Sequence, residues 1–150
     1  MTPIAIATTL AALIASSTVL GLVWKARNGR VRRVSGVISA LDLVESPGSV
    51  ATLLQFSTEV CAPCAATRQV LGAVADSTPG VNHAEIDLSE RPDVAVRFSI
   101  LQTPTTLILD ATGAVRSRIG GAVRPGTVRE ELARIANEPA SRSKRTVNSL

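Results

Sequence analysis

The 150 residues have room for one domain with a short extra segment at either end, and an apolar content of 45 % with only 2 % aromatic residues predicts a core of Val, Ile, Leu and Ala. The net charge of +4 comes from the two ends of the chain, because residues 34–137 carry eight Arg against eleven Asp and Glu, a balance of −3. A nucleic-acid binder needs basic residues gathered on its folded surface, so this slightly acidic central part excludes that class of protein.

The chain begins with an uncharged segment that ends at Trp24. Its apolar run Ile4–Val23 has 20 residues, which as a helix are enough to cross the hydrocarbon core of a bilayer. A buried core helix and a cleaved signal peptide are the alternatives, and residues 15–17 offer the latter a weak cleavage site. A signal peptide normally starts with basic residues, which are absent before Ile4, so residues 1–24 are predicted to be an uncleaved transmembrane anchor with Trp24 at the interface.

A basic stretch without acidic residues follows the anchor. Its cations are Lys25, Arg27, Arg30, Arg32 and Arg33. The positive-inside rule places such a flank in the cytoplasm, so a single-pass protein with a cytoplasmic domain is expected. Residues 25–33 are predicted to be a juxtamembrane linker, either simply solvated or drawn to anionic lipid headgroups.

From residue 34 to residue 137 the pattern is that of an α/β domain. The predicted strands are Val34–Ile38, Val50–Phe56, Val81–Asp87, Thr105–Leu109 and Ala114–Ile119. The predicted helices are Ala40–Glu45, a segment that ends near Asp76, Pro92–Phe98 and Gly126–Ala136. This order predicts a mixed central sheet flanked by helices on both faces, and the polar residues 138–150 are predicted to be a disordered tail.

The two cysteines of the sequence, Cys61 and Cys64, come between the apolar strand Val50–Phe56 and the helix after it. At the start of a helix, free backbone N–H groups and the helix dipole stabilise a thiolate, which is the form that attacks a disulfide. Cys61 is therefore predicted to be the nucleophile, and Cys64, one turn later, the thiol that resolves the mixed disulfide. Ala62 and Pro63 complete the motif, and a proline suits the first turn of a helix.

Two other interpretations of the cysteine pair stay open. A structural zinc site needs four ligands, but the remainder of the sequence offers one histidine and no cysteine. Two inert core thiols also fit the spacing, since free cysteine is often buried. The position between a strand and a helix favours redox chemistry, which implies neither a metal nor another cofactor.

The segment Phe56–Cys64 (FSTEVCAPC), together with Thr103–Thr105 (Thr-Pro-Thr), resembles the thioredoxin family, and the resemblance covers about residues 34–136. It implies a thioredoxin-like mixed sheet and a cis proline, Pro104, that faces the cysteines and docks the substrate. It also implies that Thr103 presents its backbone to that substrate.

Several positions depart from the pattern of the family, and one glycine agrees with it. Thioredoxins usually have Trp before the first cysteine, a buried Asp in the preceding strand and a Lys beside that Asp; Val60, Gln55 and His83 stand there instead. His83 is a candidate for proton transfer because its ordinary pKa lies near neutrality, although a lone strand histidine is commonly a plain side chain. Glu59 is a second candidate, since its charge would raise the pKa of the neighbouring cysteine. Gly121 matches a glycine near the substrate groove.

The stretch Thr103–Asp110 is similar to the membrane-anchored TlpA/ResA branch, whose members work outside the cytoplasm, so an extracytoplasmic domain is the alternative location. The sequence predicts a membrane-tethered enzyme that reduces disulfide-containing protein substrates and receives electrons from a reductase or a membrane redox partner. The alternatives are a disulfide-forming oxidase and a module that serves one dedicated membrane partner, because sequence alone gives no reduction potential.

Overall fold

The structure, a computed structural model, describes residues 3–27, 29–34 and 38–137. The helices are α1 (Pro3–Arg27), α2 (Ala62–Asp76), α3 (Pro92–Arg97) and α4 (Pro125–Asn137), with one 3-10 turn at Leu41–Leu43. The strands are β1 (Val31–Arg33), β2 (Ala51–Ser57), β3 (Val81–Asp87), β4 (Thr105–Asp110) and β5 (Val115–Gly120).

The five strands form one mixed sheet in the order β1-β5-β4-β2-β3. Strands β2 and β3 are parallel, whereas β4 is antiparallel to both β2 and β5, and β1 is antiparallel to β5. The mixed sheet predicted from the order of elements is therefore confirmed.

Strand β2 lies between β4 and β3 in the sheet, and all seven of its residues are buried. This agrees with its nearly continuous apolar sequence, because a central strand is covered on both faces. The register pairs Phe56 with Thr105, so the end of β2 lies beside the beginning of β4. The loops that carry the cysteines and Pro104 consequently leave the sheet at the same end of its strands, which is called the groove edge below.

Successive residues of a strand point to opposite faces of the sheet, so the sheet contributes side chains to two separate hydrophobic cores. One core packs Leu53 and Ile108 against α2 and α4. The other packs Leu54 and Phe56 against α3, where the ring centroids of Phe56 and Phe98 are 6.0 Å apart. Helices therefore cover both faces of the sheet, as predicted.

The N-terminal boundary of the domain differs from the prediction. Residues 31–33, assigned to the linker from sequence, pair with β5 as strand β1, and α1 continues to Arg27. Of the predicted strand at 34–38, residues 35–37 lie outside the described residues, as does the predicted tail at 138–150. The sequence did not predict β1 because its basic side chains resemble those of a solvated linker. Charged residues are also typical of an edge strand, and β1 stands at the edge of the sheet.

Helix α1 contains 21 residues, Pro3–Val23, that are long and apolar enough to cross a membrane, and none of this span is buried against the rest of the chain. Its hydroxyl side chains do not need water. All five donate to backbone carbonyl groups three or four residues earlier: Thr8, Thr9, Ser16, Ser17 and Thr18. A polar group satisfied within the helix is tolerated in an apolar environment.

Candidate active site

Cys61 and Cys64 form a disulfide at the start of α2, with their Cα atoms 5.4 Å apart. Cys61 is the N-cap residue of the helix and has an extended backbone, and its carbonyl oxygen accepts a hydrogen bond of 3.1 Å from the Cys64 N–H. Cys61 is partly exposed, whereas Cys64 is only 3 % exposed. An incoming substrate therefore reaches the sulfur of Cys61 first.

Ala62 and Pro63 occupy the first turn of α2 and are exposed. The missing N–H of a proline costs little there, because the first N–H groups of a helix have no partner within it. The remaining N–H groups of this turn lie at the positive end of the α2 dipole and can stabilise a thiolate on Cys61, the N-cap residue.

A second loop lies across from the cysteines. The Thr103–Pro104 peptide bond is cis, as the resemblance implies. The hydroxyl groups of Thr103 and Thr58 are 3.2 Å apart, which ties this loop to the one that leads into Cys61. The Pro104 carbonyl accepts a 2.7 Å hydrogen bond from the Gly121 N–H. The structure thus brings Thr103, Pro104 and Gly121 together at the edge where the cysteines lie.

A buried amide stands behind Cys64. Gln55 is fully buried, and its Nε2 donates to the Cys64 carbonyl oxygen at 3.1 Å and to Glu85 Oε1 at 3.3 Å. Glu85 also accepts two hydrogen bonds from the Arg68 guanidinium, one of them 2.8 Å from Nη2 to Oε1. The Gln55 Oε1 is buried and has no hydrogen-bond partner in the described structure.

These hydrogen bonds determine the charge of Glu85. The hydrogen bonds from Arg68 hold the pKa of Glu85 below its usual range, although burial acts in the opposite direction. Glu85 is therefore an ionised carboxylate that reaches Cys64 through one amide. Sequence reasoning noted Gln55 but missed Glu85 and Arg68. No local signal could have found them, because Glu85 meets Gln55 only through the register of β2 and β3.

The two predicted candidates for proton transfer lie elsewhere. His83 pairs with Leu53 on β2, two residues along β3 from Glu85, and its Nε2 is buried without a partner among the described residues. Burial lowers the pKa of His83, so this imidazole is neutral at pH 7. Glu59 is exposed, and its backbone N–H, rather than its side chain, binds the Ser89 hydroxyl at 3.3 Å.

The family model called "Thioredoxin" matches residues 42–134, which is more than half of the chain. The chain belongs to the thioredoxin family. With its close cysteine pair at the start of a helix, this thioredoxin-family protein is a thiol–disulfide oxidoreductase.

Known thioredoxins resemble it in sequence and in fold. A thioredoxin of Chlamydia trachomatis is 29 % identical over 84 residues, which are 56 % of this chain and 82 % of that protein. Thioredoxin H2 of Arabidopsis thaliana is 34 % identical over 70 residues, or 47 % of this chain and 52 % of that protein. The structure of Fasciola hepatica thioredoxin superposes with a TM-score of 0.53 at 23 % identity and covers 63 % of this chain and 88 % of its own, which shows the thioredoxin-like fold.

Proposed function

We propose that this thioredoxin-family protein is a protein-disulfide reductase tethered to a membrane by α1. The difference in exposure between Cys61 and Cys64 is the main support for reductase activity, because it makes Cys61 the residue that attacks the substrate and Cys64 the residue that resolves the mixed disulfide. Cys61 is partly exposed at the helix start, and Cys64 is 3 % exposed one turn behind it.

In the reduced protein, the thiolate of Cys61 attacks one sulfur of the substrate disulfide. A mixed disulfide forms, and the other substrate sulfur leaves as a thiolate that takes up a proton. The Cys64 thiol then loses its proton and attacks the Cys61 sulfur, which releases the second substrate thiol and closes the Cys61–Cys64 disulfide. Two electrons pass to the substrate, and a dithiol reductase of the cell must return them to the protein.

The surface between the loop that leads into Cys61 and the Thr103–Pro104 loop, called the groove from here on, is proposed to bind a polypeptide. Thr103, Pro104 and Gly121 are proposed to hold the substrate backbone there, with the backbone of Thr103 as its hydrogen-bonding partner, because the Gly121 N–H already donates to the Pro104 carbonyl at 2.7 Å. Glu85 is proposed to act on Cys64 through its negative charge, because the Gln55 Nε2 donates to both the Cys64 carbonyl and Glu85 and offers no path for a proton between them. His83 stays the candidate for proton transfer, since burial lowers its pKa and keeps the imidazole neutral, and it lies two residues along β3 from Glu85.

The membrane tether rests on α1. Its span is apolar and unburied, and its hydroxyl groups are satisfied inside the helix. Residues 25–33 bring five basic side chains directly after it, which supports a cytoplasmic position of the domain. In the reducing cytoplasm a dithiol works as a reductase, and this favours reduction over disulfide formation.

The test of the reductase is turnover of a protein disulfide such as insulin by the full chain in detergent micelles, with dithiothreitol as the electron source. Wild type is expected to reduce insulin catalytically, and Cys61→Ser is expected to lose turnover completely. Ser77→Ala, at the far end of α2, is the matched control and keeps wild-type turnover. Undiminished turnover in Cys61→Ser would reject the proposed chemistry.

The direction and the side of the membrane need a measurement in cells. Thiol trapping of the full chain, combined with a topology reporter at its C-terminus, is expected to show a cytoplasmic domain with a reduced cysteine pair. A domain outside the cytoplasm with a fully oxidised pair would favour the disulfide-forming oxidase instead.

A further inference from the structure

The segment that follows α1 joins the domain at the substrate groove. The Gly29 N–H donates to the Gly120 carbonyl at 2.9 Å, and the neighbouring Gly121 N–H donates to the Pro104 carbonyl at 2.7 Å. Gly29 has φ of 74°, and a Cβ there would lie 2.9 Å from the Ala122 carbonyl oxygen. The chain is therefore held tightly against the loop that forms one wall of the groove.

The distance from the membrane to this attachment is short. The apolar span ends at Val23, and α1 continues to Arg27. At 1.5 Å per helical residue these four residues add about 6 Å, and the two residues from Arg27 to Gly29 add at most about 7 Å. Gly29 consequently lies within about 13 Å of the hydrocarbon core when α1 is inserted, whereas the headgroup layer alone is about 5–7 Å thick.

The direction of the strands then fixes which end of the domain lies nearer the bilayer. Strand β4 begins at Thr105, beside the groove, and ends at Asp110, and β5 returns to Gly120. At about 3.3 Å per residue, the turn between these strands is about 17 Å farther from the groove edge. Since the tether joins the groove edge, the turn at residues 111–113 is the end that points away from the membrane.

The groove edge has side chains suited to an apolar and anionic surface. Val60 and Leu101, which flank the cysteines and Pro104 in sequence, are 95 % and 94 % exposed. Two residues before Gly120 on β5, Arg118 lies directly opposite Arg32 of β1. Like charges in such a pair destabilise a sheet, and a lipid phosphate beside them would remove this cost.

The environment of Arg118 is consistent with an anionic headgroup beside it. Burial lowers the pKa of Arg118, and Arg32 lowers it further. Its guanidinium donates to the carbonyl groups of Phe98 and Ser99, the latter at 3.2 Å. Within the described part of the chain, neither Arg118 nor Arg32 has a carboxylate partner.

We propose that the dithiol faces the bilayer, and that its preferred substrates are disulfides of integral membrane proteins that lie close to the headgroups. The inference rests on the proposed function, namely insertion of α1 and reduction by Cys61 and Cys64. Each turnover reduces one such disulfide to two thiols and forms the Cys61–Cys64 disulfide, which one dithiol donor then reduces as it is itself oxidised to a disulfide.

The first test measures the height of the site above the membrane. Because the sequence holds two cysteines, a fluorescent donor on Cys61 of full-length Cys64→Ser labels the site alone. The protein is placed in phosphatidylcholine liposomes that contain 30 % phosphatidylglycerol and an acceptor-labelled lipid. The matched control carries the donor at Ala111→Cys in a chain with both native cysteines replaced by serine, since residue 111 is exposed at the opposite end of the sheet.

Energy transfer to the lipid is expected to be clearly stronger from Cys61 than from residue 111, with a difference in height of about 17 Å for an upright sheet. Equal or stronger transfer from residue 111 would overturn the proposed orientation. Flotation of the same liposomes tests the tether separately, because a chain that does not float with them rejects insertion of α1 and leaves the thiol chemistry to the insulin assay.

The second test uses two single-span reporter peptides with the same disulfide loop. In one reporter the loop follows the span directly, and in the other a Gly-Ser spacer of about 40 residues separates them, which places the loop about 35 Å away on average. Wild type is expected to reduce the near loop at least about fivefold faster. Inserting about twelve Gly-Ser residues after Arg27 should remove the preference and leave insulin reduction unchanged, whereas equal rates for both reporters with the wild-type protein would refute the proposed substrate class.

Discussion

Replacement of Gln55 by methionine tests whether the buried amide behind Cys64 stabilises the domain. Methionine has a similar volume, so the packing changes little, but both hydrogen bonds of Nε2 disappear. The bond to the Cys64 carbonyl contributes about 1 kcal/mol, and the bond to the Glu85 carboxylate about 1.5–3 kcal/mol.

One contribution to the free energy of unfolding favours the methionine variant. The Gln55 Oε1 is buried without a partner in the described structure, which costs about 1–3 kcal/mol that methionine does not incur. The balance is a loss of about 1 kcal/mol in the free energy of unfolding, or about 4–8 °C in Tm for a domain of this size.

Thermal unfolding followed by circular dichroism measures this loss on the full chain in detergent. Gln69→Met is the matched control, because Gln69 is exposed on α2 and its replacement should change the stability by less than about 0.5 kcal/mol. If Gln55→Met were as stable as wild type or more stable, the unpaired oxygen would outweigh the two hydrogen bonds, and the stabilising role of the amide would be refuted.

Three further substitutions test neighbouring parts of the structure. Gly121 has φ of 84°, so Gly121→Ala should cost about 1–2 kcal/mol and raise the KM for insulin, and an unchanged KM would separate this residue from the groove. Because burial holds the pKa of His83 below its ordinary value of 6.5, the unfolded chain binds the proton more readily, and stability should fall as the pH drops through 6.5 towards the folded pKa. Urea unfolding between pH 5 and 7.5 should show a shallower fall for His83→Gln, and parallel curves would contradict this. Arg32→Gln should raise stability by about 0.2–1 kcal/mol at low salt by relieving repulsion with Arg118, and the gain should vanish in 1 M NaCl; the same gain at both salt concentrations would exclude a charge effect.

The middle of the domain could be predicted closely because its local signals agree with the fold. Strand β3 has the predicted bounds Val81–Asp87, and α2 ends at Asp76 as predicted. Apolar runs bounded by Pro and Gly are strong local signals, and in these elements tertiary packing supports the same choice. The mixed sheet and the position of the cysteines at the start of a helix follow from those elements.

The features that sequence reasoning missed depend on register between distant strands. Strand β1 is three residues long and mostly basic, so its sequence predicts a linker, and only its pairing with β5 shows that it is a strand. In the same way, Glu85 becomes a neighbour of Gln55 only through the parallel register of β2 and β3, 30 residues apart in sequence. Side-chain contacts of this kind are not encoded in local periodicity.

The most direct test of the redox assignment is the mass of the adduct that each single-cysteine variant forms with a disulfide substrate. Cys64→Ser is expected to accumulate a mixed disulfide on Cys61, because the sulfur that would resolve it is absent. Cys61→Ser is expected to form almost none, since its remaining sulfur-bearing residue is 3 % exposed in the folded chain. An adduct that forms equally fast on Cys64 would contradict the assignment of Cys61 as the attacking residue.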